Sequence, residues 1–152
     1  MPRLLVVHHT PSPALHGMYL AAMAGAHDPA IAGVDVVARP ALVASATDVL
    51  EADAYLLGTP VNLGYVSGAL KHFFDQVYYP CLEATRHRPF AAYLHGDNDA
   101  TGAVRAIEAI TTGLGWHRAQ RDVVATGPVD RAVLDACREL GASLAAGLAY
   151  GD

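Results

Sequence analysis

Three short stretches carry the residue types that could hold a ligand. The first is Thr10-Pro11-Ser12-Pro13-Ala14-Leu15-His16. Hydroxyls and free backbone N–H groups at the start of a helix make an anion site, because the helix dipole adds positive potential there. The second is Gly58-Thr59-Pro60-Val61-Asn62-Leu63-Gly64-Tyr65, a Gly- and Pro-rich connection that bends sharply and exposes backbone donors. The third is His95-Gly96-Asp97-Asn98-Asp99-Ala100-Thr101-Gly102. Each has an ordinary alternative, a capped turn or a solvated loop, and only their joint occurrence argues for a site. No catalytic side chain is assigned in them.

Sharper motifs are absent. The first loop lacks G-x-x-x-x-G-K-[ST] and is not a P-loop. Gly113-Leu114-Gly115 has Arg118 where a dinucleotide fingerprint needs its third glycine. Gly64-Tyr65-Val66-Ser67-Gly68 is not a hydrolase elbow, and Ser67 reads as a helix cap. The eight histidines include no H-E-x-x-H pair or Cys/His cluster, so no metal is expected. His95, at a strand end where the third stretch begins, is the histidine to test.

The elements that must position these loops follow from periodicity. Leu4–His8, Val34–Ala38, Ala54–Leu57, Phe90–Leu94 and a strand within Trp116–Ala125 are apolar runs suited to strands covered on both faces. Leu15, Met18, Tyr19, Ala22 and Met23 form a helical stripe, with Gly25 and Asp28-Pro29 marking its end. Ala46–Ala52 is a short helix. Ser67 to about Val77 is a third, with Leu70, Phe73, Phe74 and Val77 inward and Tyr78-Tyr79-Pro80 as its stop. Val104, Ile107, Ile110 and Leu114 mark a fourth. Val133, Cys137, Leu140, Leu144 and Leu148 mark the last, with Asp130 as N-cap. Glu83–Pro89 reads as a solvated connection. Five strand–helix alternations with short links predict an α/β three-layer sandwich, a five-stranded parallel sheet in the order 2-1-3-4-5. The loops after strands one, three and four then converge on one end of the sheet.

Composition agrees. The chain has 152 residues, 53% hydrophobic and 16% charged, enough for one self-sufficient core. A net charge of −5 without a basic stripe argues against nucleic acid and anionic membrane as partners. No run of eighteen apolar residues occurs, so no membrane span is expected. Two cysteines without C-x-x-C spacing and no secretion signal point to reduced thiols and a cytoplasmic location.

The second loop and its helix, Gly58-Thr59-Pro60 through Ser67-Gly68-Ala69-Leu70-Lys71-His72-Phe73-Phe74-Asp75, are similar to a family pattern. That pattern is a small residue, Pro, a Gly-containing loop, then Ser-Gly-x-Leu-Lys and an aromatic before Asp. By this stretch and its order of elements the chain resembles the flavodoxin-like family of NAD(P)H-dependent FMN reductases. The resemblance implies a flavodoxin-like fold, FMN as cofactor and NAD(P)H as co-substrate, with electrons passed to a quinone, free flavin or similar small acceptor. It implies that Thr10, Ser12, Pro13, Ala14, Leu15 and His16 hold the phosphate. Thr59, Pro60, Val61, Asn62, Leu63, Gly64 and Tyr65 would line the isoalloxazine, and His95, Gly96 and Asp97 would close its other side. Asp97 and Asp99 would disfavour an anionic reduced flavin. Ala14-Leu15 departs from the family, which often has Ser, Thr or Asn there. One anion site without a second fingerprint favours FMN over FAD. A homodimer through the third helix and Tyr78-Tyr79-Pro80 is also expected. The alternatives are a flavodoxin-type electron carrier and a flavodoxin-like domain that binds no flavin.

Overall fold

The computed structural model describes residues Met1–Gly151. Leu4–Val7 have apolar side chains alternating to two faces, and both faces are covered. This strand, β1 (Arg3–His8), pairs in parallel with β2 (Asp35–Pro40) and with β3 (Ala54–Asn62). β3 pairs in turn with β5 (Pro89–Gly96). The fifth strand lies beyond β5, so the sheet has the expected order, with additions.

One layer is built on Leu5, Val7, Tyr55, Leu57, Phe90 and Leu94, which pack against α2 (Ala46–Glu51), α3 (Gly68–Cys81) and α4 (Thr101–Leu114). The opposite layer, on Leu4, Val6, Leu56, Ala91 and Tyr93, packs against α1 (Pro13–Ala26) and α5 (Arg131–Ala149). The sandwich therefore has three layers. The caps agree with the sequence in type: Ser12, Ser67 and Asp130 accept from the N–H groups of Leu15, Leu70 and Val133. In α2 the cap is Ser45, in a reciprocal box with Asp48.

Several boundaries differ from expectation. The fifth strand is split into β6 (His117–Arg118) and β7 (Val123–Thr126), both alongside β5. Four residues, Ala119–Asp122, stand opposite only Ala91 and Ala92, so the excess chain bulges out of the ladder. Gly25 does not end α1; it lies inside the last turn, buried against α5. Tyr78-Tyr79-Pro80 does not stop α3, which runs to Cys81. Pro80 is in the final turn, and the Gln76 carbonyl it leaves without a donor belongs to an exposed residue. The link Glu83–Pro89 is not wholly solvated. Thr85 is fully buried and accepts from Trp116 Nε1 at 2.8 Å, while Trp116 stacks on Tyr55 at 4.0 Å. Arg88 donates to the carbonyls of Val49, Leu50 and Ala52 at the carboxyl end of α2.

Candidate functional site

The largest departure from the sequence reading shapes the candidate site. β3 does not end at Leu57. Thr59 and Pro60 continue the ladder beside Leu94 and His95, and Val61 and Asn62 then fold back on β4 (Tyr65–Val66). The second loop is thus a short hairpin whose turn is only Leu63-Gly64. Leu63 adopts φ 53° and Gly64 φ 73°, the left-handed region that Gly favours and Leu does not. Leu63 is fully exposed at the tip.

Three contacts draw the loops together at the carboxyl edge of the sheet. The His9 N–H donates to the Gly58 carbonyl at 2.9 Å, joining the first loop to β3. A Cβ on Gly96 would stand 2.7 Å from Val61 Cβ, so the hairpin and the end of β5 meet where only Gly fits. Gly102, in the first turn of α4, lies directly against the Gly64 carbonyl oxygen. Between Leu63, Gly64, Asn98 and Gly102 runs a cleft of about 420 Å³. A larger cavity of about 640 Å³ lies on the other side of the third loop, lined by Asp97, Thr101, Arg105 and Thr126 among others.

At the first loop, Ser12 caps α1 with its hydroxyl accepting from Leu15 N–H at 3.2 Å. The backbone N–H groups of Thr10, Ser12 and Ala14 have no partner among the described residues. Pro11 and Pro13 carry none. His16 is exposed in the first turn, and the Thr10 hydroxyl contacts His8 Nδ1 at 2.7 Å. Leu15 is buried in the core, so its side chain does not reach the loop surface.

Thr59 is fully buried too. Its hydroxyl donates to the Pro60 carbonyl and accepts from Ser67 N–H. It fastens the base of the hairpin to the start of α3 and offers no side chain to a ligand. Val61 is half-buried, and Asn62, Leu63, Gly64 and Tyr65 are exposed around the hairpin. Pro60 and Gly96 are buried beside it, and Asp97 is exposed.

His95 Nε2 lies 2.7 Å from the Gly127 carbonyl oxygen. A carbonyl only accepts, so Nε2 carries the proton. Gly127 N–H returns a bond to the Gly96 carbonyl. The β7–α5 connection therefore borders the third loop, which the sequence reading did not assign; Gly127-Pro128 marked it only as a turn. Asp99 accepts from both the hydroxyl and the N–H of Thr101, which hold its carboxyl below the usual range. It is ionised at neutral pH. Among the described residues no cluster of metal-ligating side chains occurs, and no helix is long and apolar enough to cross a membrane.

The family model described as NADPH-dependent FMN reductase matches residues 12–128. Solved structures share the fold. The flavodoxin, WrbA-like protein from Agrobacterium tumefaciens is 19% identical with a TM-score of 0.76, over 95% of this chain and 96% of its own. A flavodoxin from the domain Archaea is 18% identical with a TM-score of 0.79, over 96% and 98%. The two-electron reduced flavodoxin of Megasphaera elsdenii is 18% identical with a TM-score of 0.76, over 93% and 98%. No curated protein matches the chain.

Proposed function

Because this chain belongs to the NADPH-dependent FMN reductase family, a family of flavin-binding oxidoreductases, we propose that it binds FMN at the carboxyl edge of the sheet and passes electrons from NAD(P)H to a quinone, a flavin or a similar small acceptor. The observation that carries this reading is the meeting of the loops after β1, β3 and β5 beside the β1/β3 switch point, where open α/β sheets bind ligands.

The residues present suit FMN. The unpaired N–H groups of Thr10, Ser12 and Ala14, with the Ser12 hydroxyl and the α1 dipole, form a cradle for one phosphate. Its two prolines leave fewer donors than a loop of this length could offer. The backbone of Pro60, Val61 and Asn62 would support one edge of the isoalloxazine, and the exposed Leu63 and Tyr65 would shield it from water. His95, Gly96 and Asp97 would stand on the other side, with the His95 ring held by Gly127.

Bound FMN would supply the hydride and electron chemistry. The chain's part is to position it and set its surroundings. No side chain must exchange a proton, so none is assigned as catalytic. Ionised Asp99, and Asp97 beside it, would place negative charge near the site and make electron uptake harder, which lowers the potential. The open cavity beyond the third loop leaves room for the nicotinamide donor and the acceptor to approach in turn.

The test is direct. Purified protein titrated with FMN should quench flavin fluorescence at micromolar concentration, and the loaded protein should oxidise NADH or NADPH steadily with a quinone present. Binding without NAD(P)H oxidation would mark an electron carrier; no binding at all would leave a flavin-free domain. Recovery of FAD as the heat-released cofactor would count against the single-phosphate site. A homodimer through the exposed Tyr79 face of α3 belongs to the same proposal, and a monomer by light scattering at high concentration would remove it.

A further inference from the structure

His8 ends β1 with its ring packed on Tyr19 of α1, centroids 4.3 Å apart and planes tilted by 33°. Its neighbours across the sheet are Pro40 of β2 and Gly58 of β3. The ring therefore has a fixed place, and its Nδ1 lies 2.7 Å from Thr10 Oγ1 in the first loop. A hydroxyl has one proton and two lone pairs. In this contact either Thr10 donates to Nδ1, or a protonated Nδ1 donates to Thr10. The two arrangements present opposite faces to a ligand. In the first, the Thr10 proton is consumed and only a lone pair faces the loop. In the second, the proton is free to point outward. A phosphate monoester at neutral pH offers acceptors and negative charge, so only the second arrangement can bind it through Thr10.

From this we infer that His8 is a positioning residue for the phosphate site: its protonated Nδ1 holds the Thr10 oxygen and turns the Thr10 hydroxyl proton toward the phosphate. The inference rests on the FMN reading above. The titratable groups beside the ring are His9, the next residue along the chain, and Tyr19 on α1; Pro40 and Gly58 bring none. Burial first, then His9, lowers the His8 pKa, so without a ligand the ring is neutral at pH 7 and free to take either tautomer. Phosphate then selects the form with a proton on Nδ1. This makes FMN affinity depend on a residue that does not touch FMN.

The experiment compares FMN with riboflavin, which lacks the phosphate, on wild type, His8→Phe, His8→Asn and Thr10→Val. Phe keeps an aromatic ring against Tyr19 but has no donor; the Asn side-chain amide can still donate toward Thr10. His8→Phe should weaken FMN by about tenfold or more, the scale of one hydrogen bond to a charged group, and leave riboflavin unchanged. His8→Asn should restore most of the loss. His8→Phe combined with Thr10→Val should bind FMN no worse than Thr10→Val alone, since both changes remove one shared interaction. Nitrogen-15 NMR of the wild-type imidazoles should show Nδ1 of His8 become protonated with FMN and not with riboflavin. Equal FMN affinity in wild type and His8→Phe, or an Nδ1 that stays unprotonated with FMN bound, overturns the inference and leaves the FMN reading intact. Failure of wild type to bind either flavin overturns both.

Discussion

Gly102 and Gly64 meet backbone to side-chain position: a Cβ on Gly102 would overlap the Gly64 carbonyl oxygen. The first turn of α4 thus sets how far the β3–β4 hairpin can close over the third loop. Gly102→Ala should push the hairpin outward. Overpacking of this kind costs about 1–3 kcal/mol where the surroundings cannot give, but the exposed tip at Leu63-Gly64 can move. The expected result is a clear drop in FMN affinity with only a small change in melting temperature. A variant that binds FMN like wild type would show that this contact does not shape the site.

A second glycine pair is structural. Gly25 of α1 lies against the backbone of Arg138, and Gly141 of α5 against the backbone of Ala22. The two helices touch main chain to main chain. Ala is the better helix former by about 1 kcal/mol, so propensity alone predicts that Gly141→Ala stabilises. The contact predicts the reverse, because the rigid backbone of α1 must retreat. Packing should win, with a net destabilisation of about 1–3 kcal/mol in urea unfolding. An unchanged or raised midpoint would show that the helices separate at little cost.

Ser12→Asp separates binding from capping. Aspartate is as good an N-cap as serine and favours the start of a helix by about 0.3–1 kcal/mol. Yet it places a carboxylate where the phosphate would lie. FMN affinity should fall while the melting temperature of the flavin-free protein holds or rises. If the variant binds FMN as tightly as wild type, the phosphate is held elsewhere.

His8 also predicts a pH dependence. Burial, then His9, lowers its pKa below 6.5 in the folded chain. The unfolded chain therefore takes up the proton first as pH falls, and stability is lost from about 6.5 down through the folded value. Melting temperatures measured between pH 7.5 and 5 should fall in wild type more than in His8→Phe. Parallel curves for the two proteins would contradict this.

Cys137 should be inert. It is fully buried between α5 and the sheet, and burial pushes its thiol pKa up to about 12. Cys81 is buried as well, with its pKa raised by burial. The thiolate is the reactive form. Alkylation with iodoacetamide at pH 8 should label neither cysteine in the native protein and both after denaturation. Rapid native labelling would mean that the helix layers open far more often than their packing implies.

The layer order and most elements were legible in the chain because burial on both faces writes a continuous apolar run, and a helix on a sheet writes a stripe. Leu4–Val7, Ala54–Leu57 and Phe90–Leu94 are the runs; Leu70, Phe73, Phe74 and Val77 are the clearest stripe. Two caps were legible because capping is local: Ser67 and Asp130 act on backbone three residues away. The shape of the site was not. That β3 continues through Thr59 and Pro60 depends on pairing with Leu94 and His95, more than thirty residues on, and a Gly- and Pro-rich stretch gives no sign of such a partner. Thr59 and Ser67 looked like separate polar residues until the hairpin placed the Thr59 hydroxyl on the Ser67 N–H. Gly25 looked like a helix end because its reason, the backbone of α5, lies over a hundred residues away. Sequence pattern records what each residue needs from its own element; which distant backbone it must fit against is decided only when the layers close.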